Sequence, residues 1–539
     1  MIEIRGENRV LAAIRQQRPF HVTMLPTGLI QRAQSGAKLE SFSRRRDRLL
    51  RKDADSMTFR TTKLRVAALV MISGLAASIC SAATPSRTFK HVVIILQENR
   101  TPDNVFGSNP NFEPGVDIQG FGFTSTGERV PLTPIPWVMC FDLPHGLLAW
   151  RNEWDKGKMD GGDKNTYMAA VRDPTTCAVP PLPEYKYVDN SRGQVQVYFD
   201  IAKQYGWANR MFQTNRGPSY AAHQFFLAGT SAPTTFSKLF VSGNPDKEPQ
   251  DCTSPPDVRV AVVDENGDED SNPPIYPCFE HPTLPDVLNG VGVSWKYYAE
   301  SPHGIWTAPN SIDHLCQATE RNGVKSCSGP DWLNNVVIGS HRALTDIQDC
   351  KLAQVSWITP TEEESDHPVM TDGRGPPWVA SLVNALGSHP PCPGSGEVYW
   401  EDTLIFITWD DWGGWYDHVP PTRNGQPNGW GKGYTYGFRV PLLVVSAYTP
   451  AGFVENEEHD TGSLLKFIET NFSTGRIGPG FYADAYPNDT MQNYFTLQSP
   501  RRFVPIHVAF NFKFFLLDHE AQARDVFNEM ARCGIGCWF

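Results

Sequence analysis

Five short apolar runs rich in β-branched and aromatic residues recur along the chain, at Val92–Leu96, Val293–Tyr298, Gln354–Ile358, Leu404–Thr408 and Val440–Ser446. Each is near-continuous instead of alternating, the pattern of strands buried on both faces. Segments with helical spacing of apolar positions lie between some of them: Gln194–Tyr205, Ala221–Gly229, Trp378–Leu386 and Ser463–Phe472. Buried strands interleaved with helices predict an α/β fold with a mainly parallel central sheet and helices on both faces. The intervals exceed those of a minimal strand–helix series. Residues 108–190 and 235–280, rich in Pro, Gly, Asp and Cys, read as long loop excursions that build one face of a single large domain.

The amino end follows a different pattern. Arg60, Lys63 and Arg65 precede an apolar run from Val66 to Ile79, and Ser81-Ala82-Ala83 supplies small residues after it. This order is that of a secretory signal peptide, with a run too short to span a bilayer comfortably. The expected organisation is a leader over 1–56, a signal peptide over 57–83 starting at Met57, a catalytic domain over 84–485 and an extension over 486–539. Export to the periplasm or the exterior follows from it.

Composition changes this picture in two respects. The first 83 residues hold 15 of the 48 Lys and Arg but 6 of the 59 Asp and Glu, so the remainder carries 33 basic against 53 acidic residues. Such a surface repels phosphate backbones and excludes nucleic acid as the expected partner. Ten cysteines follow Ala83, an even number that in an exported chain suits up to five disulfides. Cys316/Cys327 and Cys533/Cys537 are close enough in sequence for local pairs, and no CxxC pair suggests a zinc ribbon.

The chemistry sits where apolar runs stop. "HVVIILQENRTPDNVFG" ends its strand signal in Glu98-Asn99-Arg100, and "TLIFITWDDWGGWYDHVPP" ends its own in Asp410-Asp411. In a parallel sheet the carboxyl ends of strands gather at one edge, the usual place for ligands. Three carboxylates and an amide brought together there repel one another unless a divalent cation sits among them. The oxygen-rich set suits calcium, magnesium, manganese or zinc. Asp417 and His418 read as braces of the turn that Gly413-Gly414 begins.

Ser219, in "NRGPSYAAHQFFLAGT", stands before a helical segment. It either caps that helix or offers its hydroxyl at the positive helix end as a nucleophile. His145 in "DLPHGLLAW" and His367 in "SDHP" supply proton transfer or a contact to a non-bridging oxygen. His303 in "SPHGIW" and His459 in "EEHDTGS" are weaker candidates.

Taken together and in order, these motifs resemble the bacterial phosphoesterases that include non-haemolytic phospholipases C and acid phosphatases, of alkaline-phosphatase-like fold. The resemblance covers about His91 to Phe472, with "GFRVPLLVVSAY" and "HDTGSLLKFIETNF" as its closing segments. It implies metal binding by Glu98, Asn99, Asp410, Asp411 and Ser219, a Ser219 nucleophile, and phosphate or acid roles for His145, His367 and His303. It also implies a phosphate ester substrate, and transient membrane-surface contact if that substrate is a phospholipid. One departure bears on the substrate. Many phospholipase-type members carry Thr followed by a Pro-Asn-Arg run, whereas Ser219 leads into Tyr220-Ala221-Ala222-His223, closer to phosphatase-like members.

Two other classes compete. A metal-independent serine esterase needs a G-x-S-x-G elbow, which the chain lacks, and leaves the paired acids without a task. A non-catalytic surface-binding protein predicts neither metal nor hydrolysis.

Overall fold

The computed structural model describes residues 86–507 except 167–169, 172–176, 270–271, 423–435 and 487–489. The leader, the signal peptide, the Cys533/Cys537 pair and most of the carboxyl extension lie outside the described residues.

Among the described residues eight strands form the main sheet: β1 (His91–Gln97), β2 (Gly206–Ala208), β3 (Trp295–Ala299), β4 (Val336–Ile338), β5 (Val355–Ile358), β6 (Thr403–Trp409), β7 (Leu442–Ser446) and β8 (Phe453–Glu455). Their spatial order is β4-β3-β5-β1-β6-β7-β2-β8. Every pairing is parallel except those of β7, which runs antiparallel to β6 and β2. The expected mainly parallel α/β sheet is therefore present, with one reversed strand.

All positions of β1 and β6 are buried, so both faces of the sheet centre are covered. Four helices pack there: α1 (Gln196–Gln204), α2 (Ser219–Ala228), α3 (Gly375–Gly387) and α4 (Thr461–Phe472). Side chains alternate between faces along a strand, so Phe406 and Trp409 of β6 point to opposite sides. Phe406 meets Phe467 of α4 at 5.7 Å between ring centroids, while Trp409 meets Tyr198 of α1 at 4.9 Å. Trp357 of β5 pairs in register with Ile94, which pairs with Phe406. Its indole donates to the Phe226 carbonyl of α2, setting α2 on the α4 side.

Among the described residues four disulfides pin loops: Cys140–Cys177, Cys252–Cys278, Cys316–Cys327 and Cys350–Cys392. The expected Cys316–Cys327 pair is among them. The chain near its described carboxyl end returns to the sheet domain, where Arg501 N–H donates to the Ala447 carbonyl and Phe503 packs on Trp400. No helix among the described residues is long and apolar enough to cross a membrane.

Candidate active site

Register places the first two acids together. β1 and β6 are parallel neighbours with Gln97 paired to Trp409, so Glu98 and Asp410, one residue on in each strand, emerge abreast at the carboxyl edge. The junction is locked by backbone and side-chain bonds. Asp410 N–H donates to the Gln97 carbonyl at 2.9 Å and Arg100 N–H to the Asp411 carbonyl at 3.0 Å. Asp410 Oδ1 accepts from the N–H of Asn99 at 3.0 Å and of Asp411 at 2.7 Å. The turn after Asp411 must pass directly over Asn99. Gly413 has φ 63°, and a Cβ there would lie 2.3 Å from the Asn99 carbonyl oxygen, so only glycine fits. Asn99 itself adopts φ 62°, a left-handed conformation that asparagine tolerates better than most residues.

Ser219 joins this cluster from α2. It is the first residue of the helix, with Pro218 at the cap position and no side-chain cap bond. The capping role is not taken up. Its hydroxyl oxygen lies 3.1 Å from Glu98 Oε2 and 3.4 Å from Asp411 Oδ2. One turn further, His223 Nε2 lies 3.0 Å from Glu98 Oε1 and 4.0 Å from Asp410 Oδ2. Residues four apart share a helix face, which explains why both side chains of α2 meet the same carboxylates.

The two histidines of the loop motifs stand on the other side. His145 Nδ1 bonds the Leu143 carbonyl at 2.7 Å and its Nε2 lies 3.2 Å from the Asn99 amide nitrogen. His367 is 6.0 Å from His145 between ring centroids, and its Nε2 is 3.9 Å from Asp142 Oδ2. The loop bearing His367 is pinned to the end of β1. Gln97 donates to the Glu364 carbonyl at 3.0 Å and accepts from Asp366 N–H at 2.8 Å. Arg100, fully buried, donates from Nε and Nη2 to the Asp366 carbonyl at 2.9 and 2.7 Å. That is the task of an arginine at the end of a buried strand.

His303 is placed elsewhere. It is 41% exposed at its side chain and bonds Asp251 at 2.9 Å in a loop, and no described contact joins it to the carboxylates. Asp417 and His418 form a separate buried cluster with Asp103 and Arg439. His459 lies beside Tyr494, 3.4 Å from its hydroxyl.

Electrostatics separate these groups. Burial raises the Glu98 carboxyl well above its ordinary range, and neighbouring Asp410 and Asp411 add to it. Asp411 is raised for the same reasons, burial first and Asp410 next. Burial lowers the His223 imidazole to about 4. Burial also opposes charge on His145, yet Asp411 and Asp142 outweigh it and bring its pKa to about 9. His367 is lowered, chiefly by burial.

A divalent cation fits this donor set on three observations. Asn99 Oδ1 and Asp410 Oδ2 are buried with no hydrogen-bond partner. Carboxylates raised this far are short of positive charge. Finally, ligand-capable atoms of Glu98, His223 and Asp410 all lie within 4.8 Å of one another. Sequence reasoning gave no role to His223, Asp142 or Gln97. The four-residue step from Ser219 to His223 was the one available signal for the first, and Asp142 had none beyond its place three residues before His145.

Residues 89–475 match the model of the Phosphoesterase family, and the chain belongs to that family. Among curated relatives, the hemolytic phospholipase C of Pseudomonas aeruginosa is 24% identical over 71% of this chain and 52% of that protein. The non-hemolytic phospholipase C of Burkholderia pseudomallei is 26% identical over 72% and 55%. The chain thus spans about half the length of the curated relatives it matches. Among solved structures, a protein in the alkaline phosphatase superfamily from Vibrio parahaemolyticus is 10% identical with a TM-score of 0.29, covering 72% of this chain and 70% of that one, too distant a likeness to bear on function.

Proposed function

We propose that this protein is an exported, metal-dependent phosphoric ester hydrolase that works through a phosphoserine at Ser219. The observation that carries the reading is the Ser219 hydroxyl lodged between Glu98 and Asp411 at the first residue of a buried helix. That serine does not cap its helix, and its hydroxyl is turned to the carboxylates instead.

Glu98, Asn99, Asp410 and Asp411 would hold the cation, with Ser219 beside them. Bound there, a divalent ion would supply Lewis-acid stabilisation to a phosphoryl oxygen and counter-charge to the serine oxygen. As its proton passes to Glu98 Oε2, 3.1 Å away, the Ser219 oxygen attacks phosphorus in line with the ester oxygen. The new O–P bond forms as the old one breaks, and the alcohol departs. The proton it needs comes from the His145–His367 pair, of which His145 stays protonated to higher pH. Water, activated by the same pair, then cleaves the phosphoserine and restores the hydroxyl. Helix α2 aims its N-terminal end at the transferred group and adds to its stabilisation.

Two substrate classes fit this chemistry. The names of the relatives point to phospholipids, whereas the Ser219–His223 segment departs toward phosphatase-like members. A panel of phosphatidylcholine and small phosphomonoesters, run with and without chelator, divides them: diacylglycerol release marks the first, and release of inorganic phosphate alone marks the second. Ser219→Ala is expected to reduce turnover by on the order of 10⁴-fold or more while retaining metal. Near-normal turnover in that variant, or full turnover in chelator, rejects the reading in favour of the metal-independent esterase. The four disulfides and the signal-like pattern before Thr84 support export.

A further inference from the structure

The hydrogen bonds around His223 do not close as an ordinary histidine–carboxylate pair. The ring is wholly buried. Its Nε2 faces Glu98 Oε1 at 3.0 Å, and its Nδ1 faces the Tyr297 hydroxyl at 3.3 Å. That hydroxyl has one proton, and the Trp306 carbonyl takes it at 2.7 Å. The Tyr297 oxygen can then only accept, so the ring proton belongs on Nδ1. In the neutral ring Nε2 is then a bare lone pair aimed at a carboxylate oxygen. Two acceptors at that distance repel unless a proton or a metal ion lies between them.

We infer that His223 Nε2 is a ligand of the same cation as Glu98 and Asp410, which makes the centre a mixed nitrogen–oxygen site. This rests on the reading of the cluster as a cation site and adds to it an imidazole on the second turn of α2. The spacings fit a shared ion. Ligands bound at about 2.1 Å on adjacent corners of a coordination shell stand about 3 Å apart, and those on opposite corners about 4 Å. The observed separations are 3.0 Å for His223 to Glu98, 3.1 Å for Ser219 to Glu98, 3.4 Å for Ser219 to Asp411 and 4.0 Å for His223 to Asp410.

The chain Trp306 carbonyl, Tyr297 hydroxyl, His223 Nδ1 is the outer support that ligating imidazoles ordinarily have, fixing both the tautomer and the ring plane. Tyr297 comes from β3, two strands from Glu98 across β5, so the sheet itself holds the ring in place. An imidazole in the shell shifts preference away from calcium and magnesium and toward iron(II), zinc or another later first-row metal.

Pulsed EPR of the full-length protein loaded with one equivalent of Mn²⁺ tests this directly. Imidazole ¹⁴N modulation is expected in the wild type and in His145→Gln, and is expected to vanish in His223→Gln. Manganese affinity, read by competition with a chelator, is expected to fall about 10- to 100-fold in His223→Gln. Tyr297→Phe, which keeps the ring and removes only the outer support, is expected to retain the modulation with affinity weakened about 10-fold, and it serves should His223→Gln not fold. Stoichiometric Mn²⁺ without nitrogen modulation in the wild type overturns the inference and leaves the proposed function standing. Modulation that disappears in His145→Gln overturns it in the same way. A wild-type protein that binds no manganese overturns both.

Discussion

Two buried acidic clusters grow from the same pair of strand ends, and they are neutralised differently. Glu98, Asp410 and Asp411 follow β1 and β6 directly; Asp103 and Asp417 follow a few residues later on the same two segments. By spacing alone Glu98 and Asp410 with His223, or Asp103 and Asp417 with His418, are able to hold a cation. In the second, Arg439 fills the position. Its guanidinium donates to both Asp417 oxygens at 2.8 and 3.0 Å and lies 3.6 Å from Asp103, whose other oxygen accepts from His418 at 2.8 Å. In the first, no lysine or arginine among the described residues forms an ion pair with the acids. The protein brings its own counter-charge to the cluster that holds the turn and leaves the other short of one. A buried acid cluster is therefore read as a ligand site by what is missing from it, not by how many carboxylates it has.

The largest expected effect breaks the filled cluster. Arg439→Leu leaves two buried carboxylates unpaired and is expected to cost about 3–5 kcal/mol in denaturant unfolding. Adding metal sharpens the contrast from the other side. Mn²⁺ at 100 times its dissociation constant is expected to stabilise the wild type by about 2.7 kcal/mol, whereas Asp410→Asn is expected to show much less stabilisation.

In chelator the sign reverses. Asp411→Asn removes one of three crowded buried carboxylates, and its stability at neutral pH is expected to exceed the wild type's by about 1 kcal/mol or more. A loss of stability there would mean that the cluster is balanced without a cation.

The smallest effect is a pH slope. Burial opposes the His418 imidazolium, but Asp103 outweighs it and raises the pKa. Its stabilisation is complete below the unfolded value of about 6.5 and is lost as pH rises through the folded one. Glu98 and Asp411, also raised, act in the same sense over a lower range: in chelator, stability is expected to decline as pH rises from the unfolded carboxylate range near 4. His418→Gln is expected to flatten the first slope and leave the second.

Much of this arrangement was readable from the chain. Each of the five apolar runs overlaps a strand of the main sheet, and the four helical segments overlap α1 to α4. The strand-end acids were visible because a buried strand has no other use for them. What escaped follows from length and distance. β2, β4 and β8 are three residues each, too short for a pattern to form. The reversal of β7 leaves no trace in a run of valines and leucines, because burial on both faces looks the same in either direction. The helix bearing Ser219 starts two residues earlier than its apolar spacing suggests, which moves the serine from the cap into the first turn. Asp417 and His418 were legible as braces, but not their partner Arg439, which lies 22 residues beyond Asp417. His223 was overlooked because a lone histidine on an apolar helix is ordinary until the carboxylates facing it are known.

The central claim is that the metal-loaded acid cluster turns Ser219 into the acceptor of a phosphoryl group. Acid-quenched turnover of a phosphate ester, followed by peptide mass spectrometry, measures this directly. A single phosphoryl group on the peptide bearing Ser219, present with Mn²⁺ and absent in chelator, is the predicted result. Rapid turnover with Ser219 unmodified at every quench time, or undiminished in chelator, contradicts it.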